Sequence, residues 1–112
     1  MAPIRLTVSA LALAAAALPA AAQSRQEIRV VGSSTVFPYS QAVAEQFANA
    51  TGAPSPIVES TGTGGGFQAF CEGIGEQYAD ITGASRAIEA GEFELCAQNG
   101  VTDITEALIG YD

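Results

Sequence analysis

One pattern repeats along this chain and restricts its fold: a short β-branched run, a turn of small and hydroxyl residues, then a helical segment. The first two units begin with strands predicted over 28–31 and 57–60. A third strand is predicted over 78–82, and the turn after it leads into a weakly amphipathic segment at 88–99. Strands that alternate with helices predict an α/β fold, with a mainly parallel sheet and helices on its faces.

The first helix is predicted to follow the turn after the first strand. Pro38 suits the first turn of a helix, and Tyr39, Val43 and Phe47 recur every four residues along one face. The segment 49–52 ends in glycine, which is typical of the stop of a helix. The first unit therefore reads as strand, hydroxyl turn and helix.

The second unit contains the stretch 59–67, which holds four glycines and three hydroxyl residues. Phe67, Phe70, Cys71 and Ile74 follow with the spacing of one helix face, so we predict a helix from Phe67 to about Ile74. A glycine-rich turn that feeds a helix leaves backbone N–H groups unpaired at the positive end of the helix dipole, which favours an oxyanion. A loop that needs glycine only for its turn is the alternative.

Each of the three predicted strands ends in a turn that carries hydroxyl groups, at 33–35, 61–66 and 84–86. In a parallel sheet, ligands gather at the carboxyl ends of the strands, where the loops enter the helices. An oxyanion that loses its hydration shell needs many short hydrogen bonds in exchange. We therefore predict that these three turns converge on one small anion.

Arg86 lies on the third of these turns, where its planar guanidinium can hold two oxygens of an anion. The alternative is a surface ion pair with a nearby carboxylate such as Glu89. Asp80 and Glu59 are also placed near strand ends. A carboxylate there can accept a proton from a protonated anion, but capping a helix or orienting Arg86 is the favoured interpretation.

Residues 1–22 have the features of a cleaved export signal. One basic residue, Arg5, precedes an apolar run over 6–18, and small residues follow up to Ala22. The apolar run is shorter than the roughly 20 residues that a membrane-spanning helix requires. The mature chain is therefore expected to begin at residue 23, outside the cytoplasm and with no membrane span.

The charged residues exclude several classes of function. The chain has no lysine and no histidine, and its net charge of −8 becomes −9 when Arg5 leaves with the export signal. A nucleic-acid surface needs clustered basic residues, so nucleic acid is not expected as a partner. The lysine of a Walker-type phosphate loop and the usual general base of a serine or cysteine enzyme are missing as well. We expect no metal ion and no other cofactor.

The chain contains two cysteines, Cys71 and Cys96. An even number of cysteines in an oxidising compartment favours a structural disulfide. Metal ligation and redox catalysis are the alternatives. A metal would need further cysteine or histidine ligands, and a redox pair is usually spaced Cys-x-x-Cys.

The mature segment 23–112 can fold alone only around a modest core. Its last stretch, 104–112, predicts an apolar strand with no closing turn after it. We therefore expect 23–112 to be the N-terminal part of a domain that continues in a longer protein.

Three stretches stand in order along the chain: VGSSTVFP at 31–38, ESTGTGGGF at 59–67 and DITGASR at 80–86. Together they resemble the periplasmic phosphate-binding protein of bacterial ABC phosphate transporters, and the likeness spans 28–112. The resemblance implies a periplasmic-binding-protein-like fold of type II, the first part of a two-domain hinged receptor. It also implies a periplasmic monomer that captures inorganic phosphate and delivers it to membrane-embedded ABC permease subunits.

In that family, hydroxyl and backbone N–H groups of all three turns hold the phosphate. By matching positions, the ligands here would be Ser34, Thr35, the N–H of Val36, Thr63, Gly64, Ser85 and Arg86. The best-known members carry an aspartate where this chain has Arg86, and that acid accepts the proton of hydrogenphosphate and helps exclude sulfate. Arg86 implies a branch that holds the anion by charge, and it leaves selectivity against sulfate open.

Three other functions stay open at this point. The chain can belong to a receptor for another oxyanion, such as sulfate, molybdate or a phosphonate. It can belong to a secreted phosphatase-like enzyme on the same scaffold, although no base is placed beside a nucleophilic serine. Finally, it can be a structural domain whose turns bind nothing.

Overall fold

The structure, a computed structural model, describes residue 3 and residues 27–111. The export signal predicted over 1–22 therefore lies outside the described residues, apart from Pro3. Within 27–111, three short strands alternate with three helices along the chain. The predicted α/β architecture, a parallel sheet with flanking helices, is confirmed.

All three strands of the sheet run parallel. They are β1 (Arg29–Gly32), β2 (Ile57–Ser60) and β3 (Ile81–Gly83), in the spatial order β2-β1-β3. Gly32 at the end of β1 is level with Ser60 of β2 and with Gly83 of β3. Because the strands share one direction, their carboxyl ends lie side by side at one edge, which we call the carboxyl edge.

The first helix, α1 (Phe37–Thr51), begins and ends close to where the sequence predicts. Pro38 lies in its first turn, and Gly52 ends it in the left-handed conformation with φ of 71°. The predicted apolar face is not buried, however, because Tyr39 is 71% exposed and Val43 is 66% exposed. Ala44 is the buried residue of α1, since a small side chain lets the helix approach the sheet closely.

The second helix, α2 (Thr63–Phe70), begins four residues earlier than predicted and ends before Ile74, which is exposed. The glycines at 64–66 therefore form its first turn rather than a loop in front of it. Gly66 is buried, and a Cβ atom there would collide with the backbone of Gly32 and with Thr82. The missing side chain lets α2 rest directly on β1 and β3, and this packing offsets a helix propensity about 1 kcal/mol below that of alanine.

The third helix, α3 (Ala90–Gln98), is joined to α2 by a disulfide between Cys96 and Cys71, so the predicted bond is confirmed. The two Cα atoms are 4.1 Å apart, and both cysteines are fully buried. Val101 completes this small core. The side-chain amide of Asn99 donates to the carbonyl of Cys71 at 2.8 Å, which satisfies a backbone acceptor at the end of α2.

The strand predicted over 104–112 is wrong for the residues that the structure describes. Between 101 and 111 no residue pairs with the sheet, and Leu108 and Ile109 are exposed. A strand requires a neighbouring strand to accept and donate its backbone hydrogen bonds, and an apolar composition does not supply one. No helix within 27–111 combines the length and the apolar character needed to cross a membrane.

Candidate anion site at the carboxyl edge

Backbone hydrogen bonds connect the three turns that follow the strands. The N–H of Thr61, after β2, donates to the carbonyl of Gly32 at the end of β1 at 2.9 Å. The N–H of Ser33, after β1, donates to the carbonyl of Gly83 at the end of β3, also at 2.9 Å. The turn after β2 is therefore fixed to the end of β1, and the turn after β1 is fixed to the end of β3.

Side chains join the second and third turns as well. The hydroxyl oxygens of Thr63 and Ser85 are 3.1 Å apart, and the N–H of Ser85 donates to the Thr63 Oγ1 at 3.2 Å. Two predicted ligands that lie 22 residues apart in sequence thus meet at one point. A bond between two hydroxyls uses one of their two hydrogens, so the other is available to an anion.

Two of the helix starts in the described segment are closed by the chain itself. At α1, Pro38 has no N–H to satisfy, and the N–H of Phe37 donates to the carbonyl of Ser33 at 3.0 Å. At α3, the N–H of Glu89 donates to the Glu92 Oε1 at 2.9 Å. The dipoles of these two helices therefore already face acceptors of the protein.

The start of α2 is open by comparison. Gly62 precedes it with φ of 79°, and no side-chain oxygen caps its first turn. The N–H groups of Thr63, Gly64 and Gly65 occupy the positions of a helix that have no carbonyl partner within the helix. Within residues 27–111 no acceptor is shown for these three N–H groups, so an anion at this point would accept their hydrogen bonds.

Ser33 is a residue whose role the sequence analysis missed. It is 4% exposed, and its side chain pairs the N–H of Val36, which the family resemblance assigns to phosphate. Ser34 and Thr35, the other predicted ligands of this turn, are exposed. A serine that directly follows a strand often accepts the N–H groups two and three residues further on, and its position at the end of β1 is the signal in the sequence for this role.

Arg86 lies at the same edge, but its guanidinium is paired with Glu92. Nη1 donates to the Glu92 Oε1 at 2.8 Å and Nη2 donates to Oε2 at 2.9 Å. The hydrogen bond from Arg86, helped by the N–H of Glu89, lowers the pKa of Glu92 to about 2. The predicted pairing with Glu89 is a looser contact, with Nε at 3.8 Å from the carboxylate.

Glu92 takes the orienting role that the sequence analysis favoured for Asp80 or Glu59. Asp80 lies before β3, at the opposite end of the strand from the turns, and accepts the backbone N–H of Arg29 at 2.8 Å. It is therefore remote from Arg86 in the sheet. Glu92 was missed because it is six residues beyond Arg86, across a turn whose path the sequence does not reveal.

The position of Arg86 is fixed from two further directions. Its guanidinium carbon lies 5.5 Å from the ring centre of Phe67, a cation–π contact with the second turn of α2. Nη2 also borders Gly64, because a Cβ built on that glycine would lie 3.7 Å from it. The guanidinium group therefore lies beside the open start of α2, where an anion would bind.

The carboxyl edge of this parallel α/β sheet combines an uncapped helix start, paired hydroxyls and a guanidinium, at the place where α/β folds usually hold their ligands. The chain belongs to the PBP superfamily, whose domain model matches residues 17–112. It is 38% identical over 111 residues to Protein SphX of Synechococcus elongatus, an alignment that covers 99% of this chain and 32% of that protein. It is 41% identical over 90 residues to Protein SphX of Synechocystis sp., covering 80% of this chain and 25% of the relative.

A solved structure supports the same assignment. The chain is similar to the crystal structure of a possible phosphate binding protein from Planctomyces limnophilus, with a TM-score of 0.59 and 47% sequence identity. The alignment covers 66% of this chain and 25% of that one. The chain thus spans between a quarter and a third of the length of the relatives that it matches.

Proposed function

We propose that this chain forms half of the binding site of an extracytoplasmic receptor for inorganic phosphate. The observation that carries the proposal is the open start of α2 beside the paired hydroxyls of Thr63 and Ser85. Backbone N–H groups at the positive end of a helix dipole, together with a free hydroxyl hydrogen, match the oxygens of a tetrahedral anion. The solved relative described as a possible phosphate binding protein supports phosphate as that anion.

The remaining ligands of the proposal come from the first and third turns. Ser34 and Thr35 offer exposed hydroxyl groups at the same edge, and Arg86 borders Gly64. The N–H of Val36 is a weaker candidate in this arrangement, because it must leave the Ser33 hydroxyl before it can reach an anion. Phosphate held in this way would be bound mainly by local dipoles, and the net negative charge of this chain opposes it little because salt screens distant charges.

The proposal extends to the longer protein that the relatives represent. Since the chain spans no more than 32% of the SphX proteins, we propose that 23–112 is the first part of a two-domain receptor. A second domain would supply the other half of the phosphate site, and 1–22 would direct export to the periplasm. The complete receptor would bind phosphate as a monomer and deliver it to the ABC permease subunits in the membrane.

A binding role fits these residues better than catalysis. The Ser85 hydroxyl is paired with the Thr63 hydroxyl and not with a base that could activate it as a nucleophile. The relative from Planctomyces limnophilus is also described by binding. Hydrolysis of a chromogenic phosphate ester by the complete protein would argue for the phosphatase-like alternative instead.

Titration calorimetry on the complete receptor tests the proposal. We expect phosphate to bind with micromolar or tighter affinity, and excess sulfate to leave that binding in place. Displacement of phosphate by sulfate would identify a receptor for oxyanions in general. The segment 23–112 alone should bind phosphate weakly or undetectably, because half of the ligands are missing.

A further inference from the structure

The guanidinium of Arg86 has most of its hydrogen-bonding capacity occupied. Of its five N–H groups, Nη1 directs one to the Glu92 Oε1 and one to the carbonyl of Ala87, at 2.8 and 3.1 Å. Nη2 directs one to the Glu92 Oε2 at 2.9 Å. The two that remain are one N–H of Nη2, beside Gly64, and the N–H of Nε, which faces Glu89.

The charge of Arg86 is balanced by the same contact. The Glu92 side chain is only 15% exposed, whereas that of Arg86 is 37% exposed, so solvent screens the carboxylate less than it screens the guanidinium. Both carboxylate oxygens point at the guanidinium, which is the bidentate geometry of the strongest ion pairs. An anion that approaches Gly64 therefore meets a neutral pair and not a free cation.

Other contacts hold the guanidinium at this place independently of Glu92. Its face lies against the Phe67 ring, and Nη1 is bound to the carbonyl of Ala87. Removal of the Glu92 charge alone would leave Arg86 beside Gly64, with Nη1 and Nη2 freed from a charged acceptor and only the looser contact with Glu89, at 3.8 Å from Nε, remaining. The effect on an anion at the start of α2 would then be attractive.

We propose that Glu92 restrains Arg86 and keeps its charge and its donor edge from the bound anion, so that the site binds mainly through neutral N–H and hydroxyl donors. This inference rests on the proposed function, since it concerns the same site. Glu92 then determines how strongly the affinity of the site depends on the charge of its ligand. Arg86 contributes one Nη2 hydrogen bond in this arrangement.

Titration of phosphate into the complete receptor and its Glu92→Gln variant, at low and high salt, tests this inference. In low salt, Glu92→Gln should bind phosphate about tenfold more tightly than the parent, because an attractive charge is released. In salt of about 0.5 M the gain should largely disappear. Glu94→Gln removes the same charge from an exposed position on α3, and its dissociation constant should stay within about twofold of the parent value.

Two further variants make the test specific. Arg86→Ala combined with Glu92→Gln should show no gain over Arg86→Ala alone, since the gain is carried by Arg86. Glu92→Asp keeps the charge but is one methylene too short for both contacts, so it should tighten binding in the same direction by a smaller factor. The guanidinium NMR signals of Arg86 should shift in both Glu92 variants, because the two hydrogen bonds to the carboxylate are lost or weakened.

The outcomes separate this inference from the proposed function. Unchanged or weaker phosphate binding by Glu92→Gln, in a parent that binds phosphate, overturns the inference and leaves the function intact. If the parent binds no phosphate but Glu92→Gln does, the restraint by Glu92 is supported and the proposed function of the parent is lost. If neither protein binds phosphate or sulfate, both proposals fall.

Discussion

Thr63 and Ser85 are bound to each other twice: their hydroxyl oxygens are 3.1 Å apart, and the Ser85 N–H donates to the Thr63 Oγ1 at 3.2 Å. Thr63 is the first residue of α2, and Ser85 follows β3. The contact therefore positions the open helix start against the turn that carries Arg86. It makes Thr63 both a proposed ligand and the residue that aligns the second and third turns.

Thr63→Val removes the hydroxyl but keeps the shape of the side chain, and we expect it to weaken phosphate binding. Loss of one hydrogen bond to a charged ligand costs about 1.5–3 kcal/mol, which raises the dissociation constant by about 10- to 150-fold. Thr63→Ser is the matched control and should stay within about threefold, since it keeps the hydroxyl. Titration calorimetry on the complete receptor compares the three proteins, and parent-like affinity in the valine variant would exclude Thr63 as a ligand.

Gly66→Ala should destabilise the fold, because the added methyl group would collide with the backbone of Gly32 and with Thr82. Overpacking of this kind typically costs about 1–3 kcal/mol. Gly91→Ala in α3 is the control: a Cβ there meets open space, and alanine favours a helix by up to about 1 kcal/mol. Urea unfolding of both variants measures the difference, and equal stabilities would mean that α2 can move away from the sheet at little cost.

The sequence was sufficient to predict the order of the first six elements, since β-branched runs and helical spacing are local properties. It placed β2 at the observed residues, and α1 ends within the stop predicted over 49–52. It misplaced α2, because the glycines at 64–66 disfavour a helix locally and only the contact of Gly66 with the sheet reverses that preference. Contacts of this type are tertiary and leave no periodic pattern.

The sequence predicted where the candidate site lies, but not which of its donors and acceptors are already bonded to each other. Parallel strands dictate that turns after β1, β2 and β3 lie at one edge, and the backbone bonds of Gly32 and Gly83 connect them there. Which donors are already occupied depends on side-chain directions that spacing does not determine. For this reason the sequence did not predict the roles of Ser33 and Glu92, which accept hydrogen bonds from predicted ligands of the anion.

Reduction of the disulfide between Cys71 and Cys96 should lower the free energy of unfolding. The bond closes a loop of 25 residues, for which the chain-entropy model gives about 3–4 kcal/mol. The double variant Cys71→Ser, Cys96→Ser should be destabilised by a similar amount and should not respond further to reductant. Denaturant unfolding with and without dithiothreitol checks this, and a reductant effect on the double variant would point to another cause.

The ion pair of Arg86 and Glu92 predicts a specific loss of stability in acid. The pKa of Glu92 is lowered from 4.5 to about 2, chiefly by the hydrogen bond from Arg86, so the folded state binds the proton less tightly than the unfolded state does. Its stabilising contribution is therefore complete above about pH 4.5 and is lost as the pH falls through about 2. Unfolding measured across this interval should show the difference between parent and Glu92→Gln shrinking toward low pH, and a constant difference would contradict it.

Ser33 and Ser34 are adjacent, yet we expect their alanine variants to affect different properties. Ser33 is buried and accepts the N–H groups of Thr35 and Val36, so Ser33→Ala should cost about 1–3 kcal/mol of stability, because it leaves partly buried donors without an acceptor. Ser34 is exposed at the carboxyl edge, so Ser34→Ala should leave stability within about 0.5 kcal/mol and weaken phosphate binding. Denaturant unfolding and calorimetry on both variants separate the two roles. If Ser34→Ala lowered stability and Ser33→Ala did not, the Ser33 hydroxyl would not be what holds the first turn together. The proposed place of Ser34 in the phosphate site would then be excluded as well.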